Sequence, residues 1–336
     1  IPSPYTLYKN IQRVEPGHYI LYRHQKWLSI PYWKPASFPK KPASFQAAKQ
    51  ELFEVLEASI QPYENKPYGA FLSGGLDSST VLGMMTKVFQ RPIDAFTMGF
   101  DQDRYDESSY AVQAAKHFGA RHHHFNLQAD DLYLALPTII QQLDQPFGNA
   151  SLIGAYFCSK MAHDKGMKGL LAGDGGDELF GGNSRYLKQL KFNHYHQIPK
   201  MLRQGLLEYW LSFVSDTPPF SLIRKFKKFV NASKLPVPLR LEIHNLMNHF
   251  EIQKIINPDI LNKVDLHQPS RLLSMSYKEA QGESWLNKLL CMDLKWVLAD
   301  NDLIKVRSAC QMNDLNVGFP LLDERLIKFA LKLPDH

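Results

Sequence analysis

Apolar positions along this 336-residue chain follow two periods. Residues 68–72 (YGAFL) are a short apolar run that stops at Ser73-Gly74-Gly75. Beyond Asp77, apolar residues recur at Val81, Leu82, Met85, Val88 and Phe89, the spacing of one helix face. The unit is strand, glycine-rich turn, helix. The alternation continues with a strand over 93–98 and a helix from about residue 107, with Tyr110, Ala111, Ala114, Ala115 and Phe118 on one face. A strand over 122–127 precedes a helix over about 130–142, with Leu132, Leu136, Ile139 and Ile140 inward. A helix over 151–164 and a strand over 169–172 complete the series. Another helix, over 45–60, comes before it and aligns Leu52, Val55, Leu56 and Ile60.

Strands alternating with helices predict an α/β fold, a parallel sheet with helices on both faces. Ligands of such sheets bind beyond the carboxyl ends of strands. Two glycine-rich stretches, 73–79 and 173–182, stand at such ends. After about residue 186 the strand signals vanish, and 187–335 reads as helices broken at 218–219, 236–238 and 257–259. The expected division is an α/β core over about 45–190 and a helical part over about 191–336. Residues 1–35 carry β signals, a turn at EPGH and alternation in YILYR. They are too short for a domain and read as the tail of something upstream, with a Pro/Lys/Ser linker over 34–44.

Composition changes this picture little. The chain is 44% hydrophobic and 21% charged, ordinary for a globular protein. Net charge is +6, from scattered lysines and arginines. The densest cluster, RKFKKF at 224–229, reads as a solvated helix face, and no nucleic-acid partner is expected. Cys158, Cys291 and Cys310 form neither a metal pair nor a disulfide framework, which fits a reducing compartment. No apolar run reaches the ~18 residues of a membrane span, and no signal peptide is visible at the start. A cytoplasmic protein with no membrane partner is the expectation.

The glycine-rich stretches carry the chemistry. In SGGLDSS, two glycines let the backbone approach a bulky anion, and hydroxyls and N–H groups at a helix start can hold it. A phosphate is the expected ligand. The Walker pattern needs a lysine before the Ser/Thr, and none is present. In LLAGDGGDELFGGNSRY, over 170–186, Asp174, Asp177 and Glu178 are more acid than a turn needs. Three acids beside a phosphate loop would repel phosphates unless Mg²⁺ lies between, and Mg²⁺ favours phosphate oxygens plus one or two carboxylates. Asp77 and Asp177, one from each stretch, are the candidate ligands.

SGGLDSS at 73–79 resembles the pyrophosphate loop of ATP pyrophosphatases, and together with GDGGDELFGG at 173–182 it resembles the synthetase domain of the asparagine synthase family. FTMGFD at 96–101, YDESSYA at 105–111, LDQPFGNAS at 143–151, DLIKV at 302–306 and FPLLDERL at 319–326 add to the likeness, which runs from about 5 to 335. The resemblance implies an adenine nucleotide alpha hydrolase-like fold and a glutamine-dependent amidotransferase, a carbon–nitrogen ligase. ATP would lie with adenine beside Leu72, Met98 and Gly173. Ser73, Gly74, Gly75, Asp77, Ser78 and Ser79 would cradle pyrophosphate, and Asp77 and Asp177 would hold Mg²⁺. An acceptor carboxylate, aspartate in the family's asparagine synthetases, would attack the α phosphorus, and ammonia from glutamine would then expel AMP. Lys305, Asp174 and Glu178 are the implied catalytic residues. The first 35 residues resemble the last strands of the family's glutaminase domain. That domain's catalytic residue is an N-terminal cysteine, whereas residue 1 here is Ile, so a glutaminase site is not expected in this chain. An upstream glutaminase domain is the expected partner, and a homodimer is left open.

The sequence departs from the family where the acceptor is concerned. The family pattern K-V-D-R-x-S-M-A-x-x-L-E-x-R-x-P-F-L-D becomes KVRSACQMNDLNVGFPLLD over 305–323. Arg307 and Ser308 replace Asp and Arg, Asn316 replaces Glu, and Gly318 replaces Arg. Asp174 stands for the glutamate of asparagine synthetases. These changes leave ATP use expected and put aspartate as acceptor in question; aspartate, giving asparagine, stays the leading expectation, with another carboxylate or a non-catalytic scaffold as alternatives. His122, His123 and His124 alternate faces on a strand and cannot share one metal. Cys158 reads as a buried helix residue.

Overall fold

The computed structural model describes residues 1–35, 44–100, 108–214, 221–244, 252–280 and 284–334. Most of the linker, Asp101, the start of YDESSYA and the Pro218-Pro219 break lie outside them. The chain divides into two compact units, Ile1–Gly181 with Asp293–His336, and Gly182–Met292.

The first unit is built on a five-stranded sheet. Strands β1 (His18–Arg23) and β2 (Lys26–Pro31) form a separate antiparallel hairpin. Strands β3 (Tyr68–Phe71), β4 (Asp94–Phe100), β5 (Arg121–Leu127), β6 (Gly169–Leu171) and β7 (Asn316–Gly318) pair in the order β5-β4-β3-β6-β7, all parallel. Between the strands run helices α1 (Phe45–Ile60), α2 (Leu76–Phe89), α3 (Ser108–Phe118), α4 (Ala129–Gln141), α5 (Ser151–Asp164) and α6 (Gly176–Phe180).

Successive strand residues point to opposite faces, and the core follows that alternation. Ala70, Ala95 and Leu171 join Leu56, Val81, Leu82, Met85, Ala111 and Ala115 on one face. Phe96 and Leu170 meet Cys158, Ala162 and Cys310 on the other. So α1, α2 and α3 cover one side, with helix Glu324–Ala330, and α5 covers the other, with helix Leu303–Gln311. The sheet is sandwiched as the periodicity predicts.

Three details differ from the sequence pattern. First, α4 turns Ala135 and Ile139 inward and leaves Leu136 and Ile140 exposed, because it packs only at the sheet's margin, near Phe125 and Leu127. Tyr110 of α3 is likewise exposed. Second, β7 was not foreseen. It is three residues long, and Gly318 lies so close to its neighbours that a Cβ there would stand 2.6 Å from Leu171 Cδ2 and 2.7 Å from Tyr63 Cε1. Third, the last segment does not continue a helical region that begins near 191. Asp293–His336 returns to the sheet's unit, since β7 can satisfy its backbone groups only beside β6.

The second unit is helical. Helix Ser184–Gln197 lays Phe192 and Tyr195 against Phe229 and Val230 of helix Ser221–Ser233, with Leu207, Leu211 and Val214 alongside. The Phe192 and Phe229 rings stack at 4.8 Å. Buried Arg240 lies over Phe192 and bonds Gln189 and Asn193.

Candidate active site

The chain leaves β3 for β4 and β5 on one side, then returns to β3's other edge as β6. That reversal falls at the carboxyl ends of β3 and β6, the place where open α/β sheets take ligands. SGGLDSS follows β3 and GDGGDELFGG follows β6. The topology therefore brings the two stretches together.

The first loop is shaped by its serines. Ser78 is buried; its hydroxyl lies 3.0 Å from Ser73 Oγ, accepts from Ser73 N–H at 3.2 Å and donates to Gly75 carbonyl at 3.2 Å. Ser78 thus ties the loop closed rather than offering a loose hydroxyl. Ser73 stays exposed, and its Oγ accepts from Gly75 N–H at 3.2 Å. Gly74 has φ +85°, and a Cβ there would lie 2.5 Å from Ala111 N and 2.7 Å from Tyr110 Cβ, so only glycine fits. Gly75 caps α2 with no side-chain bond to the helix's first N–H groups. Those amides and the positive end of the 14-residue helix stand just beyond the carboxyl end of β3. Ser79 lies in the first turn, its N–H donating to Gly75 carbonyl at 3.1 Å.

The second loop rests on the first. A Cβ on Gly173 would lie 2.6 Å from Ser78 N and 2.8 Å from Asp77 C, and one on Gly176 would land on the Asp77 carboxylate. Asp77, Asp174, Asp177 and Glu178 are thereby drawn into one acidic cluster. Burial, followed by the charges of Asp177 and Asp174, pushes the Asp77 carboxyl up to about 6. Burial first, then Asp177, Asp302 and Asp293, pushes Glu178 up to about 7. Burial also raises Asp174, against the pull of Lys305.

Lys305 supplies the positive charge. Its Nζ stands 3.4 Å from Asp174 Oδ1 and 3.1 Å from Asp302 Oδ1. Burial works against the ammonium, yet these two carboxylates outweigh it and raise its pKa. Asn149 Nδ2 donates to Asp302 Oδ1 at 3.2 Å, and Asn149 Oδ1 accepts from Ser151 N–H at 3.1 Å. Asp302 ends a stretch, Leu294–Asp302, whose turns open to π-helical spacing before α-helical geometry resumes at Leu303. Sequence reasoning missed Asp302 and Asn149 as site residues. The signals were present: Asp302 is three residues before the lysine, one helical turn, and Asn149 lies in LDQPFGNAS.

Leu72 and Met98 are less committed to a ligand. Leu72 is buried, its N–H donates to Phe96 carbonyl at 2.9 Å, and its carbonyl accepts from Thr97 Oγ1 at 2.6 Å. Its amide and carbonyl are therefore both engaged within the sheet's own hydrogen bonds. Met98 packs toward α5, where a Cβ on Gly154 would lie 2.8 Å from its Cε. The histidines divide between partners: His122 Nε2 lies 2.8 Å from Thr97 Oγ1 and His123 Nε2 lies 2.9 Å from Asp94 Oδ1. All three cysteines are buried, and burial pushes Cys158 to about 12. Arg307 lies 5.7 Å over the Phe319 ring.

Asparagine synthase is the family whose sequence pattern matches residues 52–336. The chain belongs to that family. Among its relatives, a protein of Mycobacterium tuberculosis (strain H37Rv), described as a putative asparagine synthetase (glutamine-hydrolyzing), is 28% identical over 99% of this chain and 50% of its own length. Asparagine synthetase (glutamine-hydrolyzing) 1 of Bacillus subtilis is 26% identical over 100% of this chain and 51% of its own. A putative asparagine synthetase of Methanocaldococcus jannaschii is 34% identical over 60% of this chain and 40% of its own. The chain thus spans about half the length of the first two relatives. No described helix is long and apolar enough to cross a membrane.

Proposed function

We propose that this chain carries the amide-forming half of an ATP-dependent amidotransferase: it adenylates a carboxylate with release of pyrophosphate and then lets ammonia displace AMP. The observation that carries this reading is the contact of the uncapped α2 N-terminus with the acidic 174–178 loop, with Lys305 held beside them.

The two loops suit a nucleotide. Backbone amides of the 73–79 loop bind and orient phosphates, while Gly173 and Gly176 keep the two loops in contact. The donor set also suits Mg²⁺. Among the described residues no three-ligand metal cluster is present, and Mg²⁺ does not need one, since it draws most of its ligands from phosphates and water. Asp77 and Asp177 would hold it, where it would neutralise charge on the phosphate oxygens. Lys305, fixed by Asp174 and Asp302, stabilises negative charge that develops on phosphate or acyl oxygens. Glu178, with a carboxyl near neutrality, can accept a proton from the attacking nitrogen. Catalysis rests on positioning and charge neutralisation.

Aspartate is the acceptor that the relatives' names suggest, and the 307–318 departures favour a different carboxylate. A side chain at Gly318 would press on Leu171 and Tyr63, and Arg307 lies over Phe319. The nitrogen source we infer is glutamine, through a glutaminase domain upstream. ATP–pyrophosphate exchange measured with Mg²⁺ across a panel of carboxylates tests the reading. Exchange with aspartate or another acid supports it. ATP binding with no exchange for any acid points instead to a scaffold.

A further inference from the structure

The helical unit carries a surface that the proposed reaction does not use. Helix Lys200–Leu202, the π-helical turns Arg203–Glu208 and helix Tyr209–Phe213 form one continuous run. Its inner side, Leu207, Leu211 and Val214, packs on Tyr195, Phe229 and Val230. Its outer side is also apolar. Leu202, Leu206, Tyr209 and Phe213 all lie outward along the run and are exposed, Leu206 at 65% and Phe213 at 73%. Met201, at 88%, and Trp210, at 57%, flank the stripe. Neighbouring helix Ser221–Ser233 exposes Leu222 and, along its polar side, Arg224, Lys225 and Lys228.

The segment that carries this stripe is also basic. Residues 182–234 hold ten lysines and arginines and two acids, net +8, whereas the whole chain is +6. The remainder is therefore net −2. One of the two acids, Glu208, is already engaged by Tyr195 Oη at 3.1 Å and Arg203 Nε at 3.7 Å.

An outward stripe of Leu, Met, Phe, Tyr and Trp beside a basic helix is the composition of helices that lie in a membrane interface. Tyr and Trp favour the headgroup level, and basic side chains favour anionic lipid. We propose that this face binds the surface of an anionic phospholipid bilayer, lying on it without crossing. Three observations select that occupant. A second copy would set +8 against +8. A nucleic acid would use the aromatic rings and the charge but not the exposed aliphatic Met201, Leu202, Leu206 and Leu222, which cannot stack on bases. A bilayer takes a projecting apolar stripe without a complementary groove. The cluster at 224–229 is then more than a solvated face, and the expectation of no membrane partner is revised to no membrane span.

The test is flotation of the chain with phosphatidylcholine vesicles made with and without phosphatidylglycerol. The expected result is binding at least about tenfold tighter to the anionic vesicles, weakened by salt. Trp210 fluorescence shifts to the blue on binding, a shift missing from W210F. L206S/F213S loses flotation while keeping its circular dichroism, and K225Q/K228Q loses the preference for anionic lipid. Both pairs are exposed or polar-face positions, so folding is a separate readout. No flotation with either vesicle overturns the proposal. So does RNA binding without vesicle binding, or a dimer abolished by L206S/F213S in the absence of flotation.

Discussion

Asp77 stands where the two loops touch, with Gly176 against its carboxylate and Ser78 packed behind it. Asp77→Asn keeps the size and the fold and removes the charge. It should abolish Mg²⁺-dependent ATP turnover, with circular dichroism unchanged; near-normal turnover would sink the metal assignment. Glu178 supports a different measurement. Its carboxyl rises from 4.5 to about 7 in the folded chain. The folded state therefore binds a proton that the unfolded state has released between those values. Stability from the protonated form is full below about pH 4.5 and is lost as pH rises toward 7. Discounted for partial solvent exposure, the loss is about 1–3 kcal/mol. Glu178→Gln should therefore gain stability over the parent at pH 8 and little at pH 4.5, in denaturant titrations free of divalent ions. An equal gain at both values would show that burial of the charge is not the cause.

At the scale of elements, the close contacts matter more than the side chains. α2 depends on glycine at both loops, because the backbone of the second comes within a Cβ's reach of the first. Gly173→Ala should destabilise the protein by about 2 kcal/mol or more and weaken nucleotide binding together with it. β7 makes a comparable case. Gly318→Arg restores the residue common in the family at this position, yet its Cβ would meet Leu171 and Tyr63. A lowered midpoint for thermal unfolding is the expected outcome; a wild-type midpoint with restored aspartate exchange would show that the edge strand shifts to accept it. The π-helical stretch before Lys305 matters too. It ends at Asp302, one helical turn before Lys305 and 3.1 Å from its Nζ, and Asp302→Asn should lower turnover about tenfold or more with ATP binding retained.

Across the whole molecule, a nucleotide that binds only the folded chain must stabilise it. Saturating ATP with Mg²⁺ should raise Tm by about 3–6 °C, and EDTA should remove most of the rise. The same rise in Asp77→Asn would contradict the site. Much of this was legible in the residues. Period-2 and period-3.6 patterns place β3 and α2, and the spacing of glycines and acids marks both loops. α1 and α5 occupy the predicted residues. β7 was not legible, because three residues carry too little periodicity and its partner, β6, lies 147 residues earlier. The same holds for the return of Asp293–His336 to the sheet's unit. The sequence by itself determined the strand–turn–helix units, the two glycine-rich loops and the family, since each is written in neighbouring residues. Only the tertiary structure decided that Ser78 closes its loop, that Asp174 and Asp302 hold Lys305 while Asn149 bonds Asp302, and that Leu206 and Phe213 face outward. Those outcomes depend on which distant backbone comes close, and local spacing does not encode that.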